Sequence, residues 1–213
     1  MKKLLILCSS IYVKKPIFYK HSINLQYGKD RVDQYIEGFK SLNENKVYNF
    51  FDSSLIIDNT TNKIVDSNIL KNIPENIIKK LNKNNNKGLY NKGAGVIESL
   101  LTAKEIISKH DRVFYFEPKL NLQDVSIVEK YFEIKKNIFY TFENDNQVKS
   151  GYFWSSAVDL VEFIGSINLD KMIKEKRNLE KLLYDFYIKR NTEIIEGDCS
   201  LWKDSGNNEW IKY

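Results

Sequence analysis

Residues 91–122 read NKGAGVIESLLTAKEIISKHDRVFYFEPKLNL, and the reading of this stretch decides the fold. Asn91-Lys92-Gly93-Ala94-Gly95 is a turn of small residues that opens a long helical pattern. Ile97, Leu100, Leu101, Ile106 and Ile107 give that pattern a broad apolar stripe. A polar break at Lys109-His110-Asp111 follows. Val113-Phe114-Tyr115-Phe116 is then a short, continuous apolar run ending in Glu117-Pro118. Turn, helix, turn, buried strand and acidic tip make half of a βαβ unit. Proteins of this class bind ligands outside the carboxyl ends of such strands.

Outward from this unit, the same grammar recurs. Leu4 to Cys8 is a continuous apolar run of the central-strand type, closed by Ser9-Ser10. Leu55-Ile56-Ile57 is a second one, closed by Asp58-Asn59-Thr60. Residues 11–29 read as a loop. From Asp30, a plausible N-cap, to Asn45, the apolar residues Val32, Tyr35, Ile36, Phe39 and Leu42 stand at helical spacing. Val47 to Phe51 reads as strand-like. Pro74 suits the first position of a helix continued by Ile77, Ile78 and Leu81. Asn82 to Lys87 reads as a solvated loop.

Downstream, Val125 to Phe132 is expected to be helical, and Ile138 to Phe142 and Gly151 to Trp154 to be strands. Ser156 with Asp159 resembles a capping box for the next helix, and Leu179 to Ile188 is a further amphipathic helix. Ile194-Ile195, then Trp202 and Trp210 in polar surroundings, close the chain. No internal repeat and no linker interrupts it. The pattern predicts an α/β fold, a Rossmann-type sandwich whose central mixed, mostly parallel sheet is flanked by helices.

Composition narrows the class. A chain of 213 residues, 42% hydrophobic and 13% aromatic, is long enough for a core of its own and is expected to fold as one domain. A net charge of +5 comes mostly from lysines scattered among Asn and Glu, which fits a solvated surface better than a nucleic-acid footprint. Cys8 and Cys199 are far apart and form no metal-type spacing; Cys8 lies in an apolar run and reads as core. The start MKKLLILCSS has an apolar run too short for a secretory signal, and no run has the length of a transmembrane helix, so a cytoplasmic location is expected.

Three strand ends therefore point one way: Ser9-Ser10, Asp58-Asn59 and Glu117 share a rim if their strands are parallel. An Asp there can accept hydrogen bonds from a nucleobase or ribose. A nearby Arg31 or Lys92 can offset diphosphate charge, and a Glu can bind a divalent cation or a sugar hydroxyl. Gly93-Ala94-Gly95 at a helix start suits either backbone contact with an anion or a tight turn without a ligand; it is neither GxGxxG nor a P-loop. No GxSxG is present, and His21 and His110 stand apart from any nucleophile. The aromatics at 113–116 and 138–142 sit in apolar runs and read as core.

With these residues in hand, the chain resembles small bacterial glycosyltransferases of the GT-A type associated with surface polysaccharides. Leu4 to Ser10 looks like the first nucleotide-binding strand, and Arg31 to Tyr35 with Phe39 to Leu42 like the helix after it. Leu55 to Asn59 looks like the strand whose Asp contacts base or ribose. Asn91 to Gly95 looks like the turn under the sugar nucleotide, and Phe114 to Leu120 stands in the place of the metal-binding acidic motif. Gly151 to Ser156 resembles the acceptor-side strand.

The resemblance implies a GT-A-like domain with a nucleotide-sugar half at 1–122 and an acceptor half at 123–213. It implies transfer of a sugar from a nucleoside-diphosphate sugar to a hydroxyl of a glycan or lipid-linked acceptor, at most peripheral contact with the inner face of the membrane, and no nucleic acid. Ser9, Ser10, Arg31, Asp58, Asn59, Lys92, Gly93 and Glu117 would bind the donor. Glu180 or Asp185, ahead of Asp159, would deprotonate the acceptor. Such enzymes hold Mg²⁺ or Mn²⁺ through Asp-x-Asp. Here Glu117-Pro118-Lys119 offers one acid, with Lys119, Lys92 or Arg31 available to take over part of the charge neutralisation. Nucleotidyl transfer is the alternative, set back by the lack of a glycine- and basic-rich loop after the first strand. A basic interaction protein and a degenerate transferase are the other readings.

Overall fold

A computed structural model describes residues 1–13, 29–141, 145–197, 201–204 and 210–212; for 29, 30 and those from 201 onward it describes the backbone alone. Among the described residues the main sheet has seven strands: β1 (Lys3–Ser9), β2 (Ser53–Asp58), β3 (Ile78–Leu81), β4 (Arg112–Phe116), β6 (Asn137–Thr141), β7 (Tyr152–Ser156) and β8 (Thr192–Glu196). Their order is β3-β2-β1-β4-β7-β6-β8. β3, β2, β1 and β4 run parallel to one another, β7 is antiparallel to both its neighbours, and β6 and β8 are parallel to each other. A small antiparallel sheet joins β5 (Leu120–Leu122) to β9 (Leu201–Asp204) and β10 (Trp210–Lys212). The expected mixed, mostly parallel sheet flanked by helices is thus the architecture observed.

Eight α-helices are described: α1 (Lys29–Glu44), α2 (Ser67–Leu70), α3 (Lys92–Thr102), α4 (Lys104–Ile107), α5 (Ser126–Glu129), α6 (Ala157–Ser166), α7 (Leu169–Lys174) and α8 (Leu179–Tyr187). The continuous apolar runs have a direct physical cause. Successive strand residues point to opposite faces, so a strand covered on both sides must be apolar at every position. Leu5 and Leu7 of β1, with Phe114 and Phe116 of β4, pack under Tyr35 and Phe39 of α1. Leu4 and Ile6, with Val113 and Tyr115, pack on the other face under Ile97 and Leu100 of α3 and Leu160 of α6. The aromatics at 113–116 and 139–140 are all buried, as core residues should be. The main sheet draws strands from either side of residue 122, and β5 pairs with β9 across the same point.

Several local expectations are corrected. Residues 47–50 form a 3₁₀ turn and not a strand, because Lys46 adopts a left-handed conformation (φ 53°) that turns the chain sharply out of α1. No helix follows Pro74: its carbonyl accepts from the amide of Ile77 at 3.2 Å, closing a turn, and Ile78–Leu81 then pairs with β2 as an edge strand. β-branched residues at 77 and 78 favour that extended path. α1 begins at Lys29, so Asp30 lies inside the helix and not at its cap. The long helix after Gly93 breaks at Ala103 into α3 and α4. Helical structure near 125–132 shortens to Ser126–Glu129. Ser156 does cap α6, its Oγ accepting from the Asp159 amide at 3.0 Å. No helix among the described residues is long and apolar enough to cross a membrane. His21 and Cys199 lie outside the described residues.

Candidate functional site

Parallel pairing brings the ends of β1, β2 and β4 to one rim, with Ser9 in register with Asp58 and Leu7 with Phe116. Asp58 is fully buried. Its Oδ2 accepts from Ser9 Oγ (2.8 Å) and the Ile11 amide (2.9 Å), and its Oδ1 from the Thr60 amide (2.7 Å) and Thr60 Oγ1 (2.6 Å). Both oxygens are therefore engaged in tying the β1 and β2 ends together. Ser10 donates its amide to Tyr35 Oη (2.8 Å), and its carbonyl accepts from Arg31 Nε (2.7 Å), which fixes Arg31 beside the β1 end. Asn59 Nδ2 donates to Asn85 Oδ1 (3.0 Å) and to the Gly95 carbonyl (3.2 Å), while its buried Oδ1 has no partner.

Glu117 caps β4 and is buried. Its amide donates to the Gly151 carbonyl (2.7 Å), its own carbonyl accepts from the Leu120 amide (3.0 Å), and the carbonyl of the intervening Pro118 rests against Gly38 of α1. The carboxylate pairs with Lys119 at 2.5 Å. Burial pushes the Glu117 carboxyl up, but Lys119, Lys92 and Arg31 together outweigh it and hold the pKa at about 2. Lys119 is pushed down, first by its own burial and then by Lys92 and Arg31, against the pull of Glu117. Lys92 is raised, chiefly by Glu117. Lys92 is exposed as a residue, and its charge acts on both Glu117 and Lys119. Two lysines and an arginine thus surround one buried carboxylate.

A cavity of about 500 Å³ opens beside this cluster, lined by Lys92, Gly93, Glu117, Ser150, Arg177 and Glu180 among others. One wall is the start of α3, where Asn91 Oδ1 accepts from the Ala94 amide at 3.0 Å and its Nδ2 donates to the Arg177 carbonyl at 2.9 Å. The opposite wall is the α7–α8 corner. Gly93 permits their contact: a Cβ there would lie 2.8 Å from both Leu179 Cβ and Met172 Cε. Glu180, in the first turn of α8, is half-buried and accepts from Ser150 Oγ at 2.7 Å.

The structure thus gathers Lys92, Gly93, Glu117 and Glu180 around one cavity, with Ser10 and Arg31 at the neighbouring strand end. It separates Asp185 from Glu180. Positions five apart on a helix diverge by well over a right angle, and Asp185 is exposed and paired with Lys181. Asp159 stands at the far end of β7, bonded to Ser156 and Asn137 and paired with Arg190 (3.4 Å). Asn59 faces a second cavity of about 600 Å³, shared with Tyr12, Thr60, Lys83 and Asn85, so part of the Asn-rich loop at 82–87 lines a pocket. Ser150 escaped the sequence reading. Its signal was its place two residues before a strand that pairs with the β4 end.

No protein-family model and no curated protein matches the sequence. Solved structures do resemble the fold. A cytidylyltransferase of Leptospira borgpetersenii shares 13% identity at a TM-score of 0.56, covering 100% of this chain and 82% of that one. A UDP-glucose pyrophosphorylase of Acinetobacter baumanii shares 9% at 0.51, covering 92% and 86%. A protein of Bacillus anthracis described as a glucose-1-phosphate thymidylyltransferase shares 9% at 0.53, covering 96% and 89%. At these identities the likeness is one of fold.

Proposed function

We propose that the protein is a nucleotide-sugar-dependent glycosyltransferase, moving a sugar from a nucleoside-diphosphate sugar to an acceptor hydroxyl. One observation carries this reading: a single cavity joins the cationic cluster at the β4 end to a half-buried carboxylate on the facing helix, Glu180. The cluster supplies positive charge where a leaving diphosphate gathers negative charge. Glu180, oriented by Ser150, supplies a base for the incoming hydroxyl. In the reaction the acceptor oxygen gives its proton to Glu180 and bonds to the anomeric carbon. The bond from that carbon to the diphosphate oxygen breaks, and the nucleoside diphosphate departs with the electron pair. Much of the rate comes from holding donor and acceptor together in one orientation. A glycan or lipid-linked molecule is the acceptor class that goes with this reading.

Nucleotidyl transfer, from a nucleoside triphosphate to a sugar phosphate, is the second reading. The names carried by the three fold neighbours favour it. Against it stands the segment after β1, IYVKKPIFYKHSINLQYGKD, whose single glycine lies near its end. The two readings differ in product. Incubation with UDP-, GDP- and TDP-sugars plus simple glycan acceptors is expected to release nucleoside diphosphate. Release of pyrophosphate from a triphosphate and a sugar 1-phosphate, with no turnover of any sugar nucleotide, would transfer the assignment to the second reading.

A further inference from the structure

GT-A-type donors are ordinarily held through a divalent cation bridging two carboxylates and the diphosphate, and the β4 end is where that cation would sit. The residues there do not fit one. Glu117 is a lone carboxylate whose Oε2 is already paired with an ammonium at 2.5 Å. Its Oε1 faces Tyr115 Oη at 3.5 Å, and the groups that hold its pKa down, Lys119, Lys92 and Arg31, are all basic, while the other carboxylate of the cavity, Glu180, is engaged by Ser150. Among the described residues no three His, Cys, Asp or Glu side chains stand close enough to share a metal ion. A cation entering here would meet basic groups on three sides, and like charges a few ångströms apart in a partly buried site repel strongly. An anion meets the reverse.

We propose that Lys119, aimed by its ion pair with the buried Glu117, and Lys92, at the start of α3, bind the diphosphate of the donor directly, so that donor binding requires no divalent cation. The inference rests on the nucleotide-sugar reading for the identity of the donor, but the anion site itself does not. Glu117 is then a positioning residue. Its carboxylate offsets positive charge and fixes Lys119 in place, leaving a basic cluster beside the cavity that Lys92 and Glu117 line. The segment that carries the pair is held on both sides, by the Gly151 carbonyl and by Gly38. Arg31, bound to the Ser10 carbonyl, adds the third charge from the adjoining strand end.

Calorimetric titration of the full chain, stripped with EDTA, tests this with three nucleoside diphosphates (UDP, GDP, TDP) and with inorganic pyrophosphate. Binding is expected in EDTA and is expected to change less than about threefold when Mn²⁺ or Mg²⁺ is added. Lys119→Met is expected to weaken binding at least about tenfold, as loss of one charge-assisted contact should, and Lys119→Arg to retain most of it. If Lys119→Met does not fold, as judged by its circular dichroism, Lys92→Met at an exposed backbone position carries the same expectation. Binding that appears only with Mn²⁺ or Mg²⁺ overturns the inference, as does unchanged affinity in a folded lysine variant. Pyrophosphate binding in EDTA without binding of any nucleotide leaves the anion site standing and defeats the nucleotide-sugar reading. Absence of both defeats the anion site.

Discussion

Gly38 of α1 meets the carbonyl of Pro118 so closely that a Cβ at residue 38 would lie 1.7 Å from that oxygen. The same Cβ would lie 2.8 Å from the Leu120 carbonyl, so the obstruction is backbone and has no rotamer to yield. The helix after the first strand therefore fixes, through one missing side chain, the segment that holds Glu117 and Lys119. Gly38→Ala is expected to cost about 3 kcal/mol, the upper part of the range for overpacking, and to weaken pyrophosphate binding in whatever fraction remains folded. Urea unfolding gives the first number and calorimetry the second. A variant as stable as the parent would show that the contact relaxes freely.

Glu180 and Asp185 share a helix but not an environment, one in the cavity under Ser150 and the other on the surface with Lys181. Glu180→Gln is expected to lower kcat by about 10²- to 10⁴-fold, the usual share of a general base, with donor affinity little changed. Asp185→Asn is expected to leave kcat within about twofold of the parent, as a solvated surface group should. Equal losses in the two variants would remove Glu180 from its proposed role.

The carboxyl of Glu117 sits at about 2, below its ordinary value, and that displacement has a sign. Above the ordinary carboxylate range the folded protein gains from keeping this group ionised. As pH falls through that range toward 2 the gain is lost, because the unfolded chain takes up the proton first. Stability measured by denaturant titration should therefore drop on acidification, and Glu117→Gln should flatten part of that drop. An unaltered acid limb in the variant would mean the pair with Lys119 contributes nothing to the pH dependence.

How far the sequence discloses this arrangement depends on what each residue does. The β1, β2 and β4 ends were legible because strands covered on both faces must be apolar throughout, and such runs stop visibly at Ser9, Asp58 and Glu117. β3 was not legible. Ile77, Ile78 and Leu81 repeat at helical spacing, and only the open edge of β2 selects the extended form. Neither was Asp58's engagement by four donors, since a carboxylate at a strand end looks the same in sequence whether it meets solvent, ligand or its own turn. Gly38 looked like any helix glycine until Pro118 was set against it.

Arg112, at the opposite end of β4, is buried over the ring of Trp154 at 5.1 Å, and none of its three side-chain nitrogens has a hydrogen-bond partner. Burial pulls its pKa down to about 10, with Glu133 opposing. Replacing buried charged groups by well-packed apolar residues of similar volume is often stabilising, by about 1–4 kcal/mol for an ion pair, and a charge without a hydrogen-bond partner has less to lose. Arg112→Met is accordingly expected to raise Tm by several degrees, at about 2–4 °C per kcal/mol for a chain of this size. A lower Tm would mean that stacking on Trp154 outweighs the desolvation of the guanidinium.

Cys8 is buried in β1, and burial raises its thiol to about 12. At pH 8 about one molecule in ten thousand would carry the thiolate, the form that reacts. Iodoacetamide is expected to leave residue 8 unlabelled in the native protein and to label it fully in urea, as read by peptide mass spectrometry. Rapid native labelling would show that β1 opens to solvent.

The reversed direction of β7 has a consequence for how sites of this kind are sought. Parallel strands deliver their last residues to a common edge, and inspection naturally follows strand endings. A strand running the other way delivers its beginning instead. Tyr152 pairs with Phe116, so Ser150, two residues before β7 starts, arrives at the edge that Glu117 reaches by ending β4. In a mixed sheet, then, a strand that runs against the majority brings to the edge the side chains that precede it, and a survey that scans only the residues after each apolar run will pass over them.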